Sequence, residues 1–396
     1  MEPQERYHGL DFVRAMAMLL GLVLHVCIFF MPVDNYRWVA GEYSGDPVNR
    51  WLLNFIHLFR MELFFLMAGF FAELVIFRKG FGNLLKDRTK RIVLPFIFAV
   101  LFMVPLHFFV TNVNGFYSST LDGYGIFERY KALFFWGAFA DKPIYDQTDI
   151  LAHYWFMYYL IVIYLSHFIL RPVVNFVLQN KALNRFWAFC LEHRYGVFLL
   201  GLVSLPFQYS LTDLFFPPSG YDAPVLDIAF YGLYYVAGIL LFKSRALLKH
   251  LASNCWFYFF ASIPFFIFLD TPTKNFSYGA SVVVDITSWK ISNFNYLHEG
   301  LFYGGWSKVM IAYGRAVSCW LMCFAFIGLA HRFLNKPNPT IRYLADSAYW
   351  VYWIHMPLTF GLSKAGQQLE SVNSLTKSYV ILLVSTVIIY YFRHNR

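Results

Sequence analysis

Of 396 residues, 59% are apolar, 21% aromatic and only 14% charged. A soluble domain carries roughly 25% charged residues, so lipid rather than water must cover much of this chain. The apolar residues fall in long runs, not in alternating ten-residue segments, which excludes a β-barrel and leaves spanning helices. The formal charge of +9 falls in short loops, which argues for a membrane orientation signal and not for a nucleic-acid surface.

In chain order the runs predict about ten spans: Leu10–Phe30, Trp51–Phe77, Ile92–Val110, Ala152–Leu170, Gly196–Leu211, Ile228–Phe242, Leu251–Leu269, Lys308–Ala330, Leu344–Leu362 and Lys377–Phe392. Gly196–Leu211 and Ile228–Phe242 are short and must borrow neighbours or thin the bilayer. The loops around Arg78–Arg91, Arg171–Arg194, Lys243–Lys249 and Arg332–Arg342 hold half of the Lys and Arg, whereas the alternate loops are mildly acidic. The basic set is therefore cytoplasmic, and both termini with it. Gly125–Phe139 and Asn175–Phe189 read as helices lying flat on the membrane. The whole of 1–396 reads as one all-α, polytopic domain in a bacterial inner (plasma) membrane. The five cysteines show no metal or disulfide spacing, so no metal is expected.

Ionisable groups inside spans are candidates for function. Arg14 and His25 lie eleven positions apart on the first span. That separation is three turns plus about 20°, so both share one face, about 16 Å apart along the axis. Arg14 falls toward the cytoplasmic end and His25 toward the outer end. The alternatives are an Arg snorkelling to the interface and a His bonded to a neighbouring helix. His57 and Arg60 read as one turn apart on the second span, with Glu62 and Glu73 beyond them. Arg88 and Arg91 point the same way if the third helix begins early, and paired guanidiniums bind phosphate bidentately. His153, Arg315, Tyr352 and His355 complete the set; Pro357 predicts a kink that frees backbone carbonyls. His107 offers no usable pattern.

These residues resemble the acyltransferase-3 family of membrane acyltransferases. Arg14-x10-His25 is similar to its opening signature. Phe64-Phe65-Leu66-Met67-Ala68-Gly69-Phe70-Phe71 resembles its aromatic stretch, with Ala68 where the family usually has Ser. Arg88-x-x-Arg91 before Pro95-Phe96, His153-Tyr154-Trp155-Phe156 and Tyr352-Trp353-Ile354-His355-Met356-Pro357 resemble its later landmarks. Ile56-His57-Leu58-Phe59-Arg60-Met61 is most similar to the branch acting in periplasmic glucan biosynthesis.

The resemblance implies transfer of an acyl group from cytoplasmic acyl-CoA, either acetyl-CoA or succinyl-CoA, to a hydroxyl of an extracytoplasmic glycan. In that reading Arg14, Arg88 and Arg91 hold the CoA phosphates, and the pantetheine arm threads between helices. His25 acts as general base; an acyl-histidine is a variant. Arg60, His57 or His355 stabilise the oxyanion. The competing class is a transporter of a glycan or acyl donor, since intramembrane Arg, Glu and His also mark transport pathways.

Overall fold

The computed structural model describes residues 7–32, 44–104, 106–107, 151–211, 224–274, 282–285, 290–293 and 306–394. The expected Gly125–Phe139 helix and most of 111–151 and 270–305 lie outside the described residues.

Helix α1 (His8–Phe30) is built from Leu, Ala, Met and Val, with no proline or internal break. Helix α2 (Pro47–His57) starts on a strong signal: Asp46 accepts from the Val48 N–H at 2.8 Å, and a proline occupies the first turn. The chain then stops being helical at Phe59 (φ −141°, ψ −16°) and resumes as α3 (Arg60–Lys79). The expected single span Trp51–Phe77 is therefore two helices. No Gly or Pro marks the break. It is held by packing: Phe59 is fully buried and stacks on Phe326 with ring centroids 4.8 Å apart. His57 and Arg60 thus end one helix and begin the next, and do not share a continuous helix face.

Gly80 (φ +80°) closes α3 in a conformation that only glycine adopts cheaply. Helix α4 (Phe81–Arg88) follows and passes through a π-helical turn, Thr89–Val93, into α5 (Leu94–Phe98) and a second π turn, Ala99–Met103. The third helix does begin early.

Helix α6 (Trp155–Ile169), preceded by a 3₁₀ turn at Ala152–Tyr154, bends by 78° into α7 (Arg171–Gln179). The expected flat helix Asn175–Phe189 is also two elements. Asn180 leaves the helical region and caps α8 (Lys181–Glu192), its Oδ1 accepting from the Ala182 and Leu183 N–H groups. Then come α9 (Gly196–Tyr209), α10 (Val225–Lys243), α11 (Leu248–Ser253) and α12 (Cys255–Lys274). The chain ends with α13 (Trp306–Phe333), α14 (Pro339–Gln367) and α15 (Ser374–His394).

The fold is all-helical in class, as expected. Beside the helices, Val282–Asp285 and Lys290–Asn293 pair antiparallel as a short hairpin, Val283 opposite Ser292. Among the described residues, α1, α10, Val309–Phe333 of α13 and Ser374–Tyr391 of α15 are long and apolar enough to cross a membrane. The bent pair α6–α7 is a fifth if counted as one span.

Two interfaces fix the frame. Gly69 of α3 and Gly238 of α10 lie against each other's helix: a Cβ on Gly69 would strike the Tyr235 carbonyl, and one on Gly238 the Leu66 carbonyl. Small residues let the backbones touch, as membrane helix pairs require. The second interface sets α14 along the length of α1. It brings the two histidine-bearing faces together.

Candidate active site

The face of α1 carrying Arg14 continues through Met18 and Gly21 to His25, at helical spacing. Opposite it, α14 presents Ala345, Ala348, Tyr352 and His355 at the same spacing, and runs in the same direction. Helices α3 and α6 complete a four-walled space.

At one end of that space imidazoles gather. The ring of His25 is 5.2 Å from that of His355 and 6.1 Å from that of His153, and His153 and His355 are 5.0 Å apart. His107 joins at 6.4 Å from His153. Phe360 packs on His25, His107 and Phe29. Arg60 enters from the start of α3: a Cβ on Gly21 would lie 2.7 Å from Arg60 Nη1 and 3.9 Å from His355 Nε2. Gly21 therefore leaves the room in which guanidinium and imidazole converge. His25 faces this cluster and not lipid.

Two tyrosines hold the cluster in place. Tyr352 donates its hydroxyl to the His153 carbonyl at 2.6 Å, and Tyr154 donates to the Trp353 carbonyl at 3.0 Å. The second bond has a definite cause. Pro357 has no N–H, so the carbonyl four residues earlier, that of Trp353, loses its helical donor; Tyr154 supplies the replacement. The carbonyl expected to be freed is thus met by a neighbour, and α14 runs through Pro357 as one helix.

Several polar atoms here are buried and lack a hydrogen-bond partner among the described residues: Nδ1 of His25, both ring nitrogens of His153, Nε2 of His355 and Nε of Arg60. Such atoms are costly in an apolar interior, and their clustering marks a polar site.

The other end of the space is a cavity of about 340 Å³. Arg14, Arg88, Arg91, Tyr164 and Asp346 surround its charged part. Met18, Phe64, Ala68 and Phe156 line its apolar part. The Arg14 guanidinium sits 4.9 Å over the Phe71 ring, and that of Arg88 5.3 Å over Tyr164. Asp87 reaches both arginines of the pair, at 3.2 Å from Arg88 and 2.8 Å from Arg91. The lining reaches Met18 and Phe64, one helical turn from Gly21 and Arg60.

The structure thus brings His25, His355 and Arg60 together, and separately Arg14, Arg88 and Arg91. His57 lies within electrostatic range of Arg60, Arg315 and His25. Arg315 pairs at 3.5 Å with Glu62, both buried, which ties α13 to α3. His107 carried no sequence signal beyond being an ionisable residue in an apolar run. Gly21 was findable, one turn before His25 on the same face. Among the described residues no group of His, Cys, Asp or Glu is arranged to hold a metal ion.

A bundle of apolar helices enclosing a histidine–arginine site beside a cationic cavity fits a membrane enzyme, and its likeness to known proteins gives the class. The chain belongs to the acyltransferase-3 family: the acyltransferase domain matches residues 7–394. It is similar to glucans biosynthesis protein C of Escherichia coli O1:K1 / APEC, 23% identical over 369 residues, or 90% of this chain and 83% of that one. The protein of the same name from Escherichia coli strain SMS-3-5 / SECEC is 22% identical over 366 residues, with the same coverage. No solved structure matches. The protein is a multi-pass membrane acyltransferase.

Proposed function

We propose that this protein takes an acetyl or succinyl group from cytoplasmic acyl-CoA and places it on a hydroxyl of an extracytoplasmic glycan. One observation carries the reading. All four walls serve both ends of the space: α1 gives Arg14 and then His25, α3 gives Phe71 and then Arg60. From α6 come Tyr164 and, in the turn before it, His153; from α14, Ala345 and then His355. A cationic mouth and an imidazole cluster on shared helices suit a long donor with phosphates at one end and a reacting thioester at the other.

Arg88, Arg91 and Arg14 bind the donor phosphates by charge-assisted hydrogen bonds. The pantetheine arm follows Met18, Ala68 and Phe64 and must pass one further turn, about 6 Å, to reach Arg60. His25 takes the proton of the sugar hydroxyl as it attacks the thioester. Arg60 lies beside His25 and meets the oxyanion, with His57 behind it as a further source of positive potential. This polarity requires both termini in the cytoplasm, the orientation the Lys and Arg distribution predicts. A glucan acceptor is suggested by the name of the relatives.

The test is protein in lipid nanodiscs with acetyl-CoA or succinyl-CoA and a panel of glucan oligosaccharides. Acceptor-dependent release of CoA thiol and a matching mass increase on the glycan are expected, with His25→Ala slower by about 10²–10⁴. A His25→Ala protein that acylates at the normal rate would overturn the base assignment. Glycan movement without thiol release would make the chain a transporter.

A further inference from the structure

His355 Nδ1 lies 2.7 Å from the Tyr352 carbonyl. A carbonyl only accepts, so Nδ1 carries the proton, and in the neutral ring Nε2 is a bare lone pair. A neutral His355 therefore cannot donate to an oxyanion from Nε2. It is an acceptor. That acceptor is sealed: His355 is 1% exposed, and its Nε2 is buried without a partner. Substrate reaches it only through another group. His25 is half-buried, its ring is 5.2 Å away, and its own Nδ1 is buried without a partner. Among the described residues the groups facing the pair are His153, His107, Arg60, His57 and Tyr352. None of these is a carboxylate, so among them a neutral acceptor is what can orient a base.

We propose that His355 is the positioning residue of the transfer: its Nε2 accepts the Nδ1–H of His25, which fixes the His25 lone pair at Nε2, toward the acceptor hydroxyl. This rests on the reading of His25 as base. The ring centroids, 5.2 Å apart, leave the two rings close enough for such a bond. In the step itself the hydroxyl proton passes to His25 Nε2 while the oxygen's electron pair bonds the thioester carbon. The C–S bond then breaks, and the CoA thiolate takes the proton back from Nε2. The Nδ1 proton stays between the rings throughout, and its hydrogen bond stabilises the transient imidazolium.

Two measurements decide it. In bilayers, ¹⁵N spectra of ring-labelled histidine, assigned with His25→Gln and His355→Gln, should show both residues as the Nδ1–H tautomer. An Nε2–H tautomer for His25 overturns the proposal, as does a hydrogen bond from His153 to His355 in its place. In turnover with acetyl-CoA and succinyl-CoA, His355→Met should lower kcat on the order of 10²-fold with donor KM unchanged. His355→Gln, whose side-chain carbonyl also accepts, should recover at least a factor of about ten of that loss. Normal turnover in His355→Met, or equal losses in both variants with a raised KM, would sink it. His25→Ala separates the readings: an active His25→Ala protein defeats the base itself, whereas an inactive one with normal His355→Met turnover defeats only the positioning role.

Discussion

Tyr154 shows how one hydroxyl can carry a helix through a proline. Without it the Trp353 carbonyl is buried with no helical donor, which costs about 1–3 kcal/mol. Tyr154→Phe should therefore lower the unfolding midpoint in detergent, and Tyr379→Phe, at a site 58% exposed, should leave it in place. Of the three arginines of the cationic mouth, Arg88 and Arg91 are not equivalent either. Arg88 is 15% exposed and lies over Tyr164, whereas Arg91 is 75% exposed. A charge-assisted bond is worth about 1.5–3 kcal/mol, more where solvent is excluded. Arg88→Ala should raise the donor KM by about ten- to a hundredfold, and Arg91→Ala by less, read from thiol release against acyl-CoA concentration. Salt should weaken the Arg91 contribution more, since exposed charges are screened within about 10 Å at 0.1 M.

At the scale of elements, the close crossing of α3 and α10 sets where Arg60 points. Gly69→Ala would drive a methyl into the Tyr235 backbone, and overpacking of this kind costs about 1–3 kcal/mol. Gly82 of α4 meets nothing within 4 Å of an added Cβ, and Gly82→Ala gains up to about 1 kcal/mol of helix propensity. The two variants should shift thermal stability in opposite directions. Activity should fall for Gly69→Ala alone, because parting α3 from α10 moves Arg60 away from Gly21. The break at Phe59 belongs to this scale. It makes Arg60 the first residue of α3, where free N–H groups and the positive helix end add to its charge.

For the whole molecule the open quantity is orientation. The Lys and Arg distribution predicts a cytoplasmic C-terminus, so a reporter active only in the cytoplasm should work when fused after Arg396, and a reporter active only outside should not. Exchanged results would reverse the donor and acceptor faces. The periodic pattern of apolar residues announced a helical chain and placed Arg14 and His25 on one face, because helical spacing is local; the family resemblance came from the motifs. It missed the break at Phe59, which has no Pro or Gly to announce it. It also missed the split at Asn180 and the strands around Val283, and it left His107 without meaning.

The sequence by itself determined that this is a helical membrane protein, because hydropathy and helical period are properties of neighbouring residues, and its ordered motifs carried the resemblance to the acyltransferase-3 family. Only the tertiary structure decided which ionisable groups meet. The packing of α1 against α14 set His25 beside His355, the Tyr154 and Tyr352 bonds drew His153 to them, and the fold of α4 put Arg88 and Arg91 around Arg14. Those meetings depend on side chains far apart in the chain filling one space, and no local pattern encodes that.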